Sequence, residues 1–184
     1  MIEIRIHGRG GQGAVIASKI LAQAAMLDGR FSQSFPAFGG ERRGAPVVAY
    51  VRIDDQRIRM RYQIYKPDCI VVLDPKLFKM VDLTAGLKEG STIVVNSSPN
   101  PLSVEDQHYK WFFVDASSIS RKYELGPKTA PIVNTSILGA VIQATEVVKL
   151  DSLLAAIKES VPSKQEENME AAKQAYTQVV GMRT

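Results

Sequence analysis

Two periods of hydrophobicity take turns along this chain. Ile2 to Ile6 reads as a short β-strand, and from Ala14 the apolar residues fall at helical spacing instead. Ala14, Val15, Ala17, Ile20, Leu21, Ala24 and Ala25 make a wide stripe of small residues. That stripe predicts a helix from Ala14 to Leu27 lying on a sheet, with Gly29 capping its end. Arg30 to Phe35 is the next extended segment. Val47 to Ile53 and Arg57 to Tyr62 then read as a β-hairpin turning at Asp54-Asp55-Gln56. In its second strand Ile58, Met60 and Tyr62 alternate with Arg57, Arg59 and Arg61, so the three arginines share one face. A solvated edge strand accounts for them; a ligand phosphate or an acidic partner is the alternative.

Three later runs are apolar at nearly every position: Cys69 to Leu73, Thr92 to Asn96 and Trp111 to Asp115. Continuous apolar strands are buried on both faces, as in parallel sheets. Each is followed or ended by Asp74, Asn96 or Asp115, residues that either line a ligand crevice at the strand ends or cap the next turn. Helical segments are expected at 75–81 and 116–125. Asn134 or Thr135 should cap a helix from Ser136 to Lys149 that is apolar nearly all round, and therefore central, against the sheet or a partner chain. A helix from Leu150 to Glu159 follows, and Ser163-Lys164-Gln165-Glu166 reads as a capping box opening a last helix over 164–180. The fold class is α/β: three layers, a mostly parallel sheet with helices on both faces, one antiparallel hairpin and C-terminal helices over 150–184.

The turn between the first strand and the first helix carries Gly8, Arg9, Gly10, Gly11, Gln12 and Gly13, with Gly8, Gly10 and Gly13 at the spacing G-x-G-x-x-G. Such a turn brings the backbone close to a ligand and offers the N–H groups and positive dipole of a helix N-terminus to an anion. Close packing of a helix on a sheet is the other use of the same glycines. A dinucleotide site also needs a carboxylate at the end of the second strand to hold the ribose; Arg30 to Phe35 ends without one. The loop Phe35-Pro36-Ala37-Phe38-Gly39-Gly40-Glu41-Arg42-Arg43-Gly44-Ala45-Pro46 combines glycine and proline with two phenylalanines and two arginines, which points to binding rather than a solvated loop.

Composition narrows the chemistry. The chain has 184 residues, 45% of them hydrophobic, with a formal net charge of +4. That charge suits anionic ligands or an acidic partner; without a clustered patch it gives no ground for nucleic acid. Cys69 is the only cysteine, so there is no internal disulfide, and an iron–sulfur cluster needing four thiolates cannot be held by this chain alone. Cys69 sits in an apolar run and should be a buried thiol. His7 and His108 are the only histidines, too few for a histidine-rich metal site. No apolar run approaches membrane-spanning length, the sequence starts directly as a strand, and a cytoplasmic location is the expectation.

In order and spacing, Gly8–Gly13, the loop from Phe35 to Pro46, the pair Asp74-Pro75 and Asn134-Thr135-Ser136-Ile137-Leu138-Gly139-Ala140 resemble the gamma subunit of the 2-oxoacid:ferredoxin oxidoreductases, of the pyruvate synthase type. The resemblance runs to about Tyr176. It implies a single Rossmann-like domain over 1–184 working inside a complex with alpha, beta and delta-type subunits. Such complexes oxidatively decarboxylate a 2-oxoacid on thiamine diphosphate with magnesium, pass electrons through 4Fe-4S clusters to ferredoxin, and form acyl-coenzyme A. It implies those cofactors on partner subunits, no catalytic residue and no metal on this chain, and coenzyme A at its surface. For that ligand the candidate residues are Gly8, Arg9, Gly10, Gly11, Gln12, Gly13, Arg42 and Arg43. A gamma subunit for a branched-chain 2-oxoacid or aryl glyoxylate, and a stand-alone nucleotide-binding dehydrogenase, are the alternatives. Phe35, Phe38 and the apolar helix after Asn134 are expected to be buried against other subunits.

Overall fold

The computed structural model describes residues 1–37, 44–98 and 108–182. The first strand, β1 (Ile2–Arg9), runs through Gly8, longer than the apolar pattern marks, and α1 (Ala14–Leu27) begins and ends where the stripe does. Then come β2 (Phe31–Pro36), β3 (Pro46–Asp54), β4 (Cys69–Val72), β5 (Thr92–Asn96) and β6 (Lys110–Val114). Four helices follow, α2 (Ala116–Lys122), α3 (Asn134–Thr145), α4 (Leu150–Ser160) and α5 (Gln165–Gln178), and a two-residue strand, β7 (Val180–Gly181). The strands form one mixed sheet in the order β2-β3-β1-β4-β5-β6-β7. Its centre, β1, β4, β5 and β6, is parallel; β2, β3 and β7 are antiparallel to their neighbours.

The central strands show why they read as unbroken apolar runs. Cys69 and Val71 of β4 join one core with Val94 and Val114, while Ile70 and Val72 join a second with Ile93, Val95, Trp111 and Phe113. Period two has thus split each strand between two cores. The larger core packs all five α-helices on one face. The other face is covered by a 3-10 helix at Pro75–Lys79 and the irregular segment after it, which supply Leu77 and Leu83. The three layers expected are present, and the second cover is mostly coil.

The predicted hairpin does not form. β3 already has β2 on one side and β1 on the other, both antiparallel, so it offers no edge to residues 57–62. Those residues have no regular structure. The open alternation that looked like a second strand belongs to a coil lying across the sheet.

Helix α3 is central, as expected: every residue from Asn134 to Ile142 is buried. Its cover is internal. A Cβ on Gly139 would stand within 1.9 Å of the Ala172 carbonyl oxygen, so glycine is what lets α5 lie on α3. Its polar residues are matched, Thr135 Oγ1 donating to Asn168 Oδ1 at 2.6 Å and Ser120 sharing a 2.7 Å bond with Ser136. The expectation that this helix is buried by another subunit is therefore corrected: the chain covers it itself. Its start is corrected too, since Val133 is the N-cap and no side chain caps it. Nor does the capping box close. Lys164, in a left-handed conformation, is the N-cap of α5, and its carbonyl accepts from Asn168 Nδ2 at 2.8 Å while its Nζ reaches the Glu124 carbonyl. Tertiary contacts hold this corner instead of a local reciprocal cap.

Candidate ligand cleft at the strand ends

A cleft of about 520 Å³ opens at the C-terminal edge of the parallel strands. The β1–α1 turn contributes Gly10, Gly11 and Gln12, the start of the 3-10 helix after β4 Asp74 and Lys76, β5 Asn96, and α2 Ser117 and Arg121. Open α/β sheets take their ligands at this edge, because several loops converge there. Among the described residues no group of three or more His, Cys, Asp or Glu is placed to hold a metal ion.

The glycine turn is tightly built. Gln12 folds back so that its Oε1 accepts from the Arg9 N–H at 2.8 Å, while the Gln12 N–H donates to the Arg9 carbonyl at 2.9 Å. Gly11 and Gly13 have φ of 96° and 80°, the left-handed region that favours glycine. At Gly13 there is a second demand, since a Cβ would come within 2.6 Å of Asn134 Nδ2. The turn is thereby wedged between the starts of α1 and α3. Gly8 packs inward: its Cβ would meet Leu73 Cδ1 at 3.0 Å. On the outer side Gly10 donates to the Ala45 carbonyl at 2.9 Å and accepts from Gly44 at 3.2 Å. Among the described residues no side chain caps α1, and its first turn has no acidic residue, so none of them neutralises that dipole end.

The candidate cations divide. Arg9 Nε pairs with Asp74 Oδ2 at 3.0 Å, and its Nη2 turns to Met80, so this guanidinium does not line the cleft. Arg42 and Arg43 lie outside the described residues. Among the described residues Lys76 and Arg121, not singled out in the sequence, are the cations that do line it. Arg121 had a signal: it is four residues after Ser117 on α2, hence on the same helical face. Lys76 had only its position just after a strand-end Asp-Pro.

The strand-end polar residues mostly serve the fold. Asn96 Nδ2 donates to the Leu73 carbonyl and to Ser117 Oγ, both at 2.9 Å, tying β4, β5 and α2 together. Asp74 accepts from the Lys76 N–H at 2.9 Å, and Asp115 caps α2 through the Ser118 N–H at 2.8 Å. Cys69 is buried as expected, its thiol pushed up to about 12 by burial with Asp68 adding to the shift. His7, also buried, is pulled down to about 3 by desolvation and by Arg5. Neither lines the cleft.

Topology removes the dinucleotide reading. In that fold the strand after the first helix lies parallel beside the first strand and ends at the ribose. Here β2 is an antiparallel edge strand separated from β1 by β3.

Residues 3–178 match the pyruvate ferredoxin/flavodoxin oxidoreductase family. Among similar proteins, the pyruvate/ketoisovalerate oxidoreductases common subunit gamma of Thermococcus litoralis is 51% identical over 185 residues, covering 98% of each chain. The crystal structure of pyruvate oxidoreductase subunit PORC from Thermotoga maritima superposes with a TM-score of 0.80 at 31% identity, over 99% of this chain and 98% of that one. The 2-oxoglutarate:ferredoxin oxidoreductase of Magnetococcus marinus, solved with 2-oxoglutarate, coenzyme A and succinyl-CoA bound, shares the fold. It does so at 16% identity and a TM-score of 0.71, with 96% of this chain matched to 30% of that longer one. Sequence, fold and topology converge: the chain belongs to the pyruvate ferredoxin/flavodoxin oxidoreductase family, as a gamma subunit of a multi-subunit 2-oxoacid:ferredoxin oxidoreductase.

Proposed function

We propose that this subunit holds the phosphate-bearing end of coenzyme A in the strand-end cleft, within a complex whose alpha, beta and delta-type subunits carry the redox chemistry. The observation that carries the reading is the convergence on one cleft of Lys76, Arg121 and the glycine turn leading into α1, a helix start that no described side chain caps. Phosphate oxygens are acceptors only and match N–H groups, an ammonium and a guanidinium. In this reading Gly10, Gly11 and Gln12 present backbone, Gly8 and Gly13 shape the turn, and Arg9 orients Asp74. Arg42 and Arg43, on the loop whose stem Gly44-Ala45 bonds to Gly10, are assigned to the same phosphates. The donor set does not suit an iron–sulfur cluster, since the one thiol is buried and protonated. Thiamine diphosphate, magnesium and 4Fe-4S clusters are therefore assigned to the partner subunits and electron delivery to ferredoxin, all in the cytoplasm. Residues 1–184 act as one unit, because α4 and α5 share the main core.

The Thermococcus relative is named as common to pyruvate and ketoisovalerate oxidoreductases. By that analogy the choice of 2-oxoacid resides outside this chain.

The test is steady-state kinetics of the intact complex. Lys76→Ala or Arg121→Ala should raise the KM for coenzyme A about tenfold or more, the worth of a charged hydrogen bond, and leave the KM for the 2-oxoacid unchanged. A second reading, an assembly scaffold, is favoured by the bonds of Gly10 to Gly44 and Ala45 and by the packing of Gly13 on Asn134. In that case the same variants keep normal coenzyme A kinetics, and losing Arg42 or Arg43 dissociates the complex.

A further inference from the structure

The three arginines of the segment after β3 lost their simplest explanation when the hairpin failed to form. Basic residues guard an exposed strand edge, but residues 57–62 are not a strand and β3 has no free edge. The alternation itself survives: Arg57, Arg59 and Arg61 are exposed, while Ile58 and Met60 between them are half-buried. The segment is coil, yet it is pinned. Gln33 Nε2 donates to the Ile58 carbonyl at 3.3 Å, and Arg52 Nη2 reaches the Gln63 carbonyl at 3.5 Å. Ile64 is fully buried, and the Tyr65 carbonyl sits so close to Gly86 that a Cβ there would be within 2.1 Å of it.

Among the described residues nothing neutralises the charge on this segment. The acidic residues of the adjoining turn are committed elsewhere: Asp54 to the N-terminal ammonium at 3.5 Å, Asp55 to Arg30 at 2.8 Å. Glu3 belongs to Arg52. Among the described residues Arg57, Arg59 and Arg61 form no ion pair. Tyr62 and Tyr65 are exposed beside them, at 55% and 67%. Arginine and tyrosine together are the residues that dominate protein interfaces. A segment held rigid before binding also loses less freedom on docking than a loose one. Three cations spread along one side of an extended segment do not enclose a small ligand, which needs a concavity.

We propose that residues 56–66 are a docking arm for an acidic surface on another subunit of the same complex, engaged by Arg57, Arg59 and Arg61. The test uses the whole complex, purified through a tag on this subunit. The triple Arg57→Glu, Arg59→Glu, Arg61→Glu variant should release a partner subunit already at low salt, with association weakened about tenfold or more. The corresponding triple lysine variant should keep it and lose it with salt as the native complex does. A photoreactive residue at position 59 should cross-link to a partner segment rich in Asp and Glu, and reversing those carboxylates to lysine should restore binding of the glutamate variant. The melting temperature of the subunit itself should not move, because the arginines are exposed. Should the triple variant unfold, Arg59→Glu alone with the same charge-swap rescue decides. A complex that stays whole after charge reversal, or a cross-link to a neutral surface or to nucleic acid, overturns the proposal.

Discussion

The two faces of the sheet solve the same problem by different means. On the helical face the buried polar side chains are neutral, and those of α3 are paired: Thr135 with Asn168, Ser120 with Ser136. On the other face, along β1 and β3, they are ionisable. Arg52 is fully buried against Glu3, with its guanidinium over the rings of Phe35 and Tyr62. Arg5 donates to the Leu83 and Ala85 carbonyls at 2.9 Å each, and His7 is buried beside it. The helical cover needs no such help, because helices satisfy their own backbone. Coil cannot, so the sheet supplies long polar posts that catch its carbonyls. Charge in this interior is the means by which coil is held flat on a sheet.

Removing a post should therefore cost more than overfilling a helix contact. Arg52→Met strands Glu3 without its partner and frees the Gln63 carbonyl. A loss of about 3–4 kcal/mol is expected, near that of a broken buried ion pair, read as a shift of the urea midpoint. Adding Glu3→Gln should recover part of it. If Arg52→Met is neutral, the posts are not what holds the coil.

The matching disturbance on the helical face is Gly139→Ala. Its Cβ meets backbone rather than a side chain that can swing away, so α5 must shift. About 3 kcal/mol is expected, the upper end of overpacking costs. A loss confined to a fraction of this would mean that α5 slides freely on α3.

This contrast also explains what could be read from the residues alone. The bounds of α1 and β5 were legible because apolar period and flanking glycine or polar residues agreed there. The coil cover was not. Arg57 to Tyr62 alternates like a strand, and only the occupied edges of β3 forbid pairing, a fact about β1 and β2 that no local pattern carries. The two-residue β7 has no local signal at all and forms because the chain returns past β6. At the cleft, the glycine turn was legible from spacing, and so were Asp74 and Asn96 as strand-end residues. Lys76 was not, and the spacing of Arg121 from Ser117 shows only a shared helical face, since their arrival at the cleft depends on where the crossovers return. Arg9 looked like a free cation, and its pairing with Asp74 is a contact across 65 residues of chain.

The smallest effect expected concerns pH, and it belongs to the coil-covered face alone. His7 lies on β1 between Val48 of β3 and Val72 of β4, on the same face as Arg5. Its Nε2 is buried without a hydrogen-bond partner among the described residues. Burial first, and the Arg5 charge second, bring its pKa from 6.5 to about 3. As pH falls the unfolded chain takes up this proton before the folded one, so the stability His7 allows is complete above 6.5 and is lost from there down towards 3. The loss should reach about 2 kcal/mol near about pH 5. The exposed Asp54 carboxyl, lowered from 3.8 chiefly by its bond from the Gln56 N–H, is lost in the same direction but at lower pH. Urea unfolding at neutral pH and near about pH 5 thus isolates the histidine from it. Substituting His7→Asn should flatten the difference between those two conditions while leaving the response to Gly139→Ala unchanged. An undiminished acid slope in His7→Asn would place the acid sensitivity elsewhere and remove the ionisable interior as the mark of the coil-covered face.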